Sequence, residues 1–227
     1  GSTVTSTSHN TIQGKNQSGL TVTNSGTINA GGSKAINLLN ATNSIITNNT
    51  GGIIKSNTNT ITVTATNDND ANNVTINNSG EIYAYSTDPA ADSAAIKSEA
   101  DTDNITIINN SGGYIHSNNG NSSVQQGSTV FISSLSNATL TNSGTIENKA
   151  STDAYVLGVA GIGVTVTLKD KGKVIGKINV AGSGHTIKLQ HGAGQAYFYE
   201  TTGDGTYDLE DLDGNPVVKG SAGSIGQ

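Results

Sequence analysis

The chain has 227 residues, a net charge of −6, and no cysteine, methionine, tryptophan or arginine. Without cysteine there is no disulfide framework and no thiolate metal site, and no stretch of about 18 apolar residues offers a transmembrane helix. A hydrophobic content of 33% is low for an ordinary compact core, while 12% charge with abundant Val, Ile and Thr is unlike a disordered coil, so composition selects strands and turns.

Gly1 and Ser2 read as a cloning scar, and the absence of a visible signal peptide reads as a mature fragment. The first strong pattern is Leu20-Thr-Val-Thr-Asn-Ser-Gly-Thr-Ile28. Leu20 and Val22 alternate with Thr21 and Thr23, so one face is apolar and the other hydroxylated. Asn24-Ser25-Gly26 then breaks the strand, because Asn and Gly tolerate the positive φ of a sharp bend. A second strand-like segment, Ala35-Ile-Asn-Leu38, follows.

The unit then recurs. A looser copy is Ile45-Ile-Thr-Asn-Asn-Thr-Gly-Gly-Ile53, followed by the strand Thr60-Ile-Thr-Val-Thr64 and a loop over Asn67 to Asn72. A close copy is Val74-Thr-Ile-Asn-Asn-Ser-Gly-Glu-Ile82, followed by a loop from Thr87 to Asp92 and the strand Ala94-Ala-Ile96. Next come the expanded copy Ile105-Thr-Ile-Ile-Asn-Asn-Ser-Gly-Gly-Tyr-Ile115, a loop from Ser117 to Gly127, and Thr129-Val-Phe-Ile132. Ala138-Thr-Leu-Thr-Asn-Ser-Gly-Thr-Ile146 and Ala154-Tyr-Val-Leu157 complete the regular part. Val164-Thr-Val-Thr-Leu-Lys-Asp-Lys-Gly-Lys-Val174 keeps the alternation with a different turn, and Thr186 to Gly192 is degenerate. The turn glycines Gly26, Gly51, Gly80, Gly112, Gly144, Gly172 and Gly192 are separated by 25, 29, 32, 32, 28 and 20 residues.

One copy cannot bury its apolar stripe alone, whereas stacked copies can. The expected fold is therefore an all-β parallel β-solenoid of about 7–8 irregular coils, each about 4.8 Å thick. One core ladder is expected through Leu20, Ile45, Val74, Ile105, Ala138 and Val164, and a second through Ile28, Ile53, Ile82, Ile115, Ile146 and Val174. The turn is expected to stack as a structural ladder of Asn24, Gly26, Asn49, Gly51, Asn78, Gly80, Asn110, Gly112, Asn142 and Gly144, each amide bonding the coils above and below. Asp170 would end the array, since stacked carboxylates repel. Residues 1–176 are expected to form the coils, 177–218 the last coils and capping hairpins, and 219–227 a loose tail of one continuous domain.

The repeated Asn-Ser-Gly-Thr-Ile unit of residues 18–176 resembles the passenger domains of bacterial type V autotransporters. The resemblance implies a right-handed parallel β-helix, an extracellular location on the outer-membrane surface, and a C-terminal β-barrel translocator that this sequence lacks. It also implies adhesion or self-association, with host or neighbouring-cell proteins or glycans as partners. The motif is a turn rather than a site, so it specifies fold and not function. The runner-up is a carbohydrate-acting β-helix enzyme, a lyase or tailspike-like protein, which would need an aromatic- and carboxylate-lined groove. A third reading is a passive stalk for another module.

The residues offer little chemistry. No Gly-x-Ser-x-Gly elbow occurs, and Ser183 beside His185 reads as a turn. His185 and His191 could share one side of a strand but lack a third metal ligand. Asp88, Asp92, Glu99, Asp101 and Asp103 are close in sequence but sit in a loop without sugar-stacking aromatics. Lys169, Lys171, Lys173 and Lys177 read as solvated residues at alternating strand positions rather than a nucleic-acid patch. Asp204, Asp208, Glu210, Asp211 and Asp213 supply oxygen ligands of the kind calcium takes, but match neither an EF-hand loop nor the nonapeptide calcium repeat, so a solvated acidic hairpin is expected. Thr-x-Thr runs at Thr21, Thr62 and Thr165 resemble ice-binding solenoids, yet the insertions are expected to spoil the flat array these need. The reading is therefore of a non-enzymatic protein with no cofactor and no catalytic or metal-binding residue.

Overall fold

A computed structural model describes residues 2–66, 71–99, 101–191, 198–199, 201–205, 207–210 and 225–226. Nearly all described secondary structure is short parallel β-strand, wound into a three-sided β-solenoid. The second sheet has eight strands, from Thr21–Asn24 through Ile45–Asn48, Thr75–Asn78, Thr106–Asn109, Thr139–Asn142, Thr165–Lys169 and His185–Gln190 to Tyr207–Glu210. The first six of these pass through a tight corner into the first sheet, which has seven strands from Thr3–Ser6 to Lys173–Ile175. The chain then enters the third sheet, eight strands from Ile12–Lys15 to Thr201–Thr202, and returns to the second. The strand-like segments between the copies, such as Ile36–Leu39 and Ile61–Thr64, form this third sheet.

Four-residue strands alternate in burial, so two side chains per strand enter the core. Val22, Ile46, Ile76, Ile107, Leu140 and Val166 stack in one buried column. Ile28, Ile54, Ile82, Ile115, Ile146 and Val174 stack in another. The expected ladders are thus displaced in the second copy. Thr21 pairs with Ile45 and Thr27 with Ile53, so Ile46 and Ile54 face the core while Ile45 is 44% exposed. Ser44 takes the place expected of Ile45, between Leu20 and Val74. The cause is a longer turn: four residues separate Asn48 from Ile53, against two between Asn24 and Thr27. A one-residue slip in aligning such a turn moves every side chain to the wrong face.

The corner entering the second sheet has its own rule, which the repeat of Asn-Ser-Gly did not reveal. Gly19, Asn43, Asn73, Asn104, Asn137, Gly163 and Gly184 each precede a strand of that sheet, and all have positive φ. Left-handed backbone favours Gly and, among residues with side chains, Asn.

The two longest insertions leave from the corner between the first and third sheets. Residues 85–95 and 118–129 connect the first sheet to the third and fold over the third sheet's outer surface. Thr62, Lys97 and Phe131, which pair in one column of that surface, are only 1%, 2% and 6% exposed. The helical turn Val124–Gly127 sits against Gly158, where any Cβ would meet Phe131, Ser128 and Val124 within 3.0 Å. Toward the C-terminus Phe198–Tyr199 pairs antiparallel with Ile225–Gly226, a departure from the solenoid pattern. Of the expected last coils, cap and tail, residues 192–197, 200, 206, 211–224 and 227 lie outside the described residues.

Candidate functional site

The turn residues singled out by the repeat form a structural ladder, with two shifts. The buried amides are Asn24, Asn48, Asn78, Asn109 and Asn142. Each donates to the next: Asn24 Nδ2 to Asn48 Oδ1 at 2.8 Å, Asn48 to Asn78 at 2.9 Å, Asn78 to Asn109 at 2.9 Å, and Asn109 to Asn142 at 2.8 Å. Most of the same amides also reach turn carbonyls, as Asn78 does to Gly80 at 3.1 Å. Asn49 and Asn110 instead lie one residue outside and donate to Ser25 Oγ and Ser79 Oγ at 2.8 and 3.0 Å. Likewise Gly52 and Gly113, not Gly51 and Gly112, align with Gly26, Gly80 and Gly144 where coils touch. Gly51 and Gly112 sit in open space at φ of 78° and 83°, as the inserted bend requires. The ladder stops because Leu168 pairs with Asn142, not because of Asp170, which accepts from Ser143 Oγ at 3.2 Å. These amides satisfy one another and offer a ligand nothing.

The two histidines near the end do not converge. His185 points into the core, its Nδ1 accepting the Val164 N–H at 3.2 Å and its Nε2 donating to the Ala181 carbonyl at 3.1 Å. Burial lowers its pKa, opposed by the Ala181 bond. His191 is also buried, with Nδ1 3.1 Å from the Asp170 carbonyl. Ser183 forms an isolated parallel bridge with Ile162 and lies between Gly182 and Gly184, both at positive φ. Among the described residues no three His, Asp or Glu side chains gather as a metal site. Asp211 and Asp213 lie outside those residues, as does a side-chain account of Asp208 and Glu210.

The loop carboxylates separate. Asp88 accepts the Ala90 N–H at 2.9 Å and Asp103 accepts Ser136 Oγ at 2.9 Å. Asp92 and Glu99 meet across Lys97, whose Nζ lies 2.6 and 3.1 Å from them. The four lysines are not on alternating strand positions. Lys169 ends a strand, Lys171 lies in the turn and Lys173 starts the next strand, while Lys177 Nζ is 3.5 Å from Asp153.

What sequence reasoning missed is on the outer surface of the first sheet. Lys55, Tyr83, His116 and Glu147 occupy successive rungs of one column, and Glu81 and Tyr114 lie in the column beside it. His116 stacks on Tyr83 at 4.6 Å and 8°, and packs against Tyr114 at 4.4 Å. Its Nε2 lies 2.8 Å from Glu81 Oε1. A carboxylate can only accept, so Nε2 carries the proton and Nδ1 is the bare nitrogen. That Nδ1 is buried and has no partner. Tyr114 donates its hydroxyl to Glu147. Lys149 Nζ is 4.8 Å from the Tyr114 ring and Lys55 Nζ 5.7 Å from that of Tyr83, at cation–π range. Tyr85 lies 6.2 Å from Tyr83 and donates to the Ala30 carbonyl at 3.1 Å.

These contacts set the ionisation. Burial pushes the His116 imidazole below its ordinary value, against the pull of Glu81 and with help from Lys149. Burial and the Glu147 carboxylate push the Tyr114 phenol well up. The cluster therefore holds a neutral imidazole and a protonated Tyr114 phenol among two carboxylates and two ammonium groups. The signal was present as Glu-Ile-Tyr-Ala-Tyr and Tyr-Ile-His after equivalent turns, which puts all of these side chains outward on adjacent rungs.

Comparison with known proteins adds no relative: no family model, no curated protein and no solved structure matches this chain.

Proposed function

We propose that this chain is a non-enzymatic, surface-displayed solenoid segment of the autotransporter-passenger kind, and that it adheres to other cells or to host surfaces through the Tyr83–His116–Tyr114 cluster. The observation that carries the reading is the concentration of aromatic and ionisable side chains on adjacent rungs of one sheet. The bare second sheet and the insertion-covered third sheet offer nothing comparable. Tyr supplies large contact area at small entropic cost, and clustered aromatics with charge at the rim are the usual make-up of contact hot spots. The ring faces are largely taken up by one another and by the lysines, so the partner meets ring edges, hydroxyls and charges. A polar protein or glycan surface fits that chemistry.

The test is display of the full-length protein on cells, followed by aggregation and surface-binding assays. Display should raise binding above an empty vector, and Tyr83→Ala with Tyr114→Ala should abolish the gain while circular dichroism stays unchanged. Binding no better than the empty vector would sink the reading.

One observation keeps the carbohydrate-acting enzyme as a second reading, namely that Glu81 and Glu147 flank the same aromatic cluster. Release of reducing or unsaturated ends from a glycan panel, lost in Glu81→Gln, would favour it over adhesion.

A further inference from the structure

The second sheet has an outer surface unlike the other two. Across its first seven strands, from Thr21–Asn24 to His185–Gln190, the pairing runs residue for residue without a shift. Two outward positions per strand therefore form two straight columns. Of these fourteen positions ten are threonine, the exceptions being Ile45, Asn77, Ile108 and Lys188. No carboxylate and, before Lys188, no ammonium group interrupts them. One insertion, within the ten residues between Thr64 and Thr75, enters at this sheet's own corner, against five between Leu39 and Ile45; the others leave elsewhere. The longest fold over the third sheet, and the corner from the second sheet to the first takes at most a few extra residues.

The hydroxyls are mostly unspent. Among the described residues a single weak bond links two of them, Thr139 Oγ1 to Thr106 Oγ1 at 3.4 Å. Thr is also stiff at χ1, so methyl and hydroxyl are presented in a fixed pattern. Parallel strands repeat at about 4.7–4.9 Å, and outward residues along a strand at about 6.6 Å. A rigid grid of paired methyls and hydroxyls at these intervals lies close to the two repeats of water oxygens on a face of hexagonal ice. Hydroxyls can enter such a lattice as donors and acceptors, and methyls can seat in its cages.

We infer that the outer face of the second sheet binds ice. On the two columns the single charge is Lys188, with Lys169 exposed at the end of its own strand, so a charged soluble ligand finds little to pair with. A regularly paired surface with one charge in fourteen positions fits a periodic solid. The inference does not depend on the Tyr83 cluster, which lies on another side of the rod.

The experiment uses the purified chain in ice-recrystallisation and single-crystal growth assays, with serum albumin as the inert control. The wild type should shape growing crystals into facets and suppress recrystallisation at micromolar concentration. Thr141→Tyr and, separately, Thr167→Lys should each raise the required concentration at least tenfold with an unchanged melting curve. Tyr83→Ala should leave ice activity intact. Round, freely growing crystals with the folded wild type would overturn the inference. So would equal ice activity in all three variants. A concentration-dependent dimer lost in Thr141→Tyr, without any ice shaping, would assign the face to self-association and overturn it too.

Discussion

The corner between the second and first sheets and the corner between the first and third sheets treat insertions in opposite ways. At the former, each coil's backbone lies directly on the coil before it. A Cβ on Gly80 would overlap the carbonyl oxygens of Gly52 and Asn49, and the Asn78 amide is locked between Asn48 and Asn109. At the latter, residues 85–95 and 118–129 spill outward and find a sheet surface to cover. This solenoid thus places its longest insertions at the corner between the first and third sheets and admits at most two extra residues at the tight one. The difference explains why one face stays bare while another is buried under loops.

The largest effect should come from filling the tight corner. Gly80→Ala places a methyl against backbone that cannot move aside, an overpacking of about 3 kcal/mol. Gly51→Ala, in open space at positive φ, should cost only about 1–2 kcal/mol. Urea denaturation of the two variants side by side checks the contrast, and equal losses would break it.

Next is the amide ladder. Asn78→Leu removes the acceptor used by Asn48 and the Gly80 N–H and leaves Asn109 Oδ1 without its donor. A stranded buried polar group costs about 1–3 kcal/mol, so a loss of about 2–3 kcal/mol is expected. Asn49→Ala, one residue outside the ladder, should stay within about 0.5 kcal/mol. The reverse order would mean that the register is that of the sequence repeat and not of the buried column.

This pair also marks how far the sequence could be read. The strand alternation of Val22 and Ile28 against threonine, and the recurrence of Asn-Ser-Gly, were sufficient for a stacked parallel fold. Near-identical copies such as those at Asn24, Asn78 and Asn142 showed which amides stack. The expanded copies did not, because a doubled Asn and a doubled Gly leave the frame ambiguous, and only pairing across coils decides it. The left-handed corner at Asn43, Asn73, Asn104 and Asn137 was invisible for another reason: a single Asn or Gly in a sequence full of both carries no contrast. The aromatic cluster is hidden for a third reason: an aromatic content of 4% gives few rings. Four side chains suffice when the register sets them on adjacent rungs, a fact of coil stacking rather than of composition.

On the covered face the test is Lys97→Met. It would strip both Asp92 and Glu99 of their cation beneath the 85–95 insertion. Breaking a fully buried pair costs several kcal/mol, but both carboxylates are more than a third exposed and water screens them, so about 1–2 kcal/mol is expected. The loss should be local. Amide exchange should quicken across 85–99 while Thr139–Asn142 keeps its protection, and a uniform rise in exchange would contradict the separation of loop and rod.

The smallest effect is the response to pH, and it again sets one region against another. His116 on the outer cluster and His185 in the core both hold a proton less readily when folded than when unfolded, chiefly because burial disfavours the cation. As the pH falls below about 6.5, the unfolded chain takes up protons first. Stability should therefore be level above that pH and decline below it, down to the lowered folded values. Each site resists protonation at Nδ1 for its own reason. At His185 the new N–H would face the Val164 N–H that Nδ1 now accepts. At His116 it would be buried among Tyr83, Tyr114, Glu81, Glu147 and Lys149 with no acceptor of its own. His116→Phe keeps the ring stack and removes the proton site, so it should remove part of the acid slope in urea midpoints between pH 7 and pH 5. The remainder should persist and report the core imidazole. A slope unchanged by His116→Phe would show that acid sensitivity belongs to the last coils alone, and that the outer cluster accepts protonation without loss.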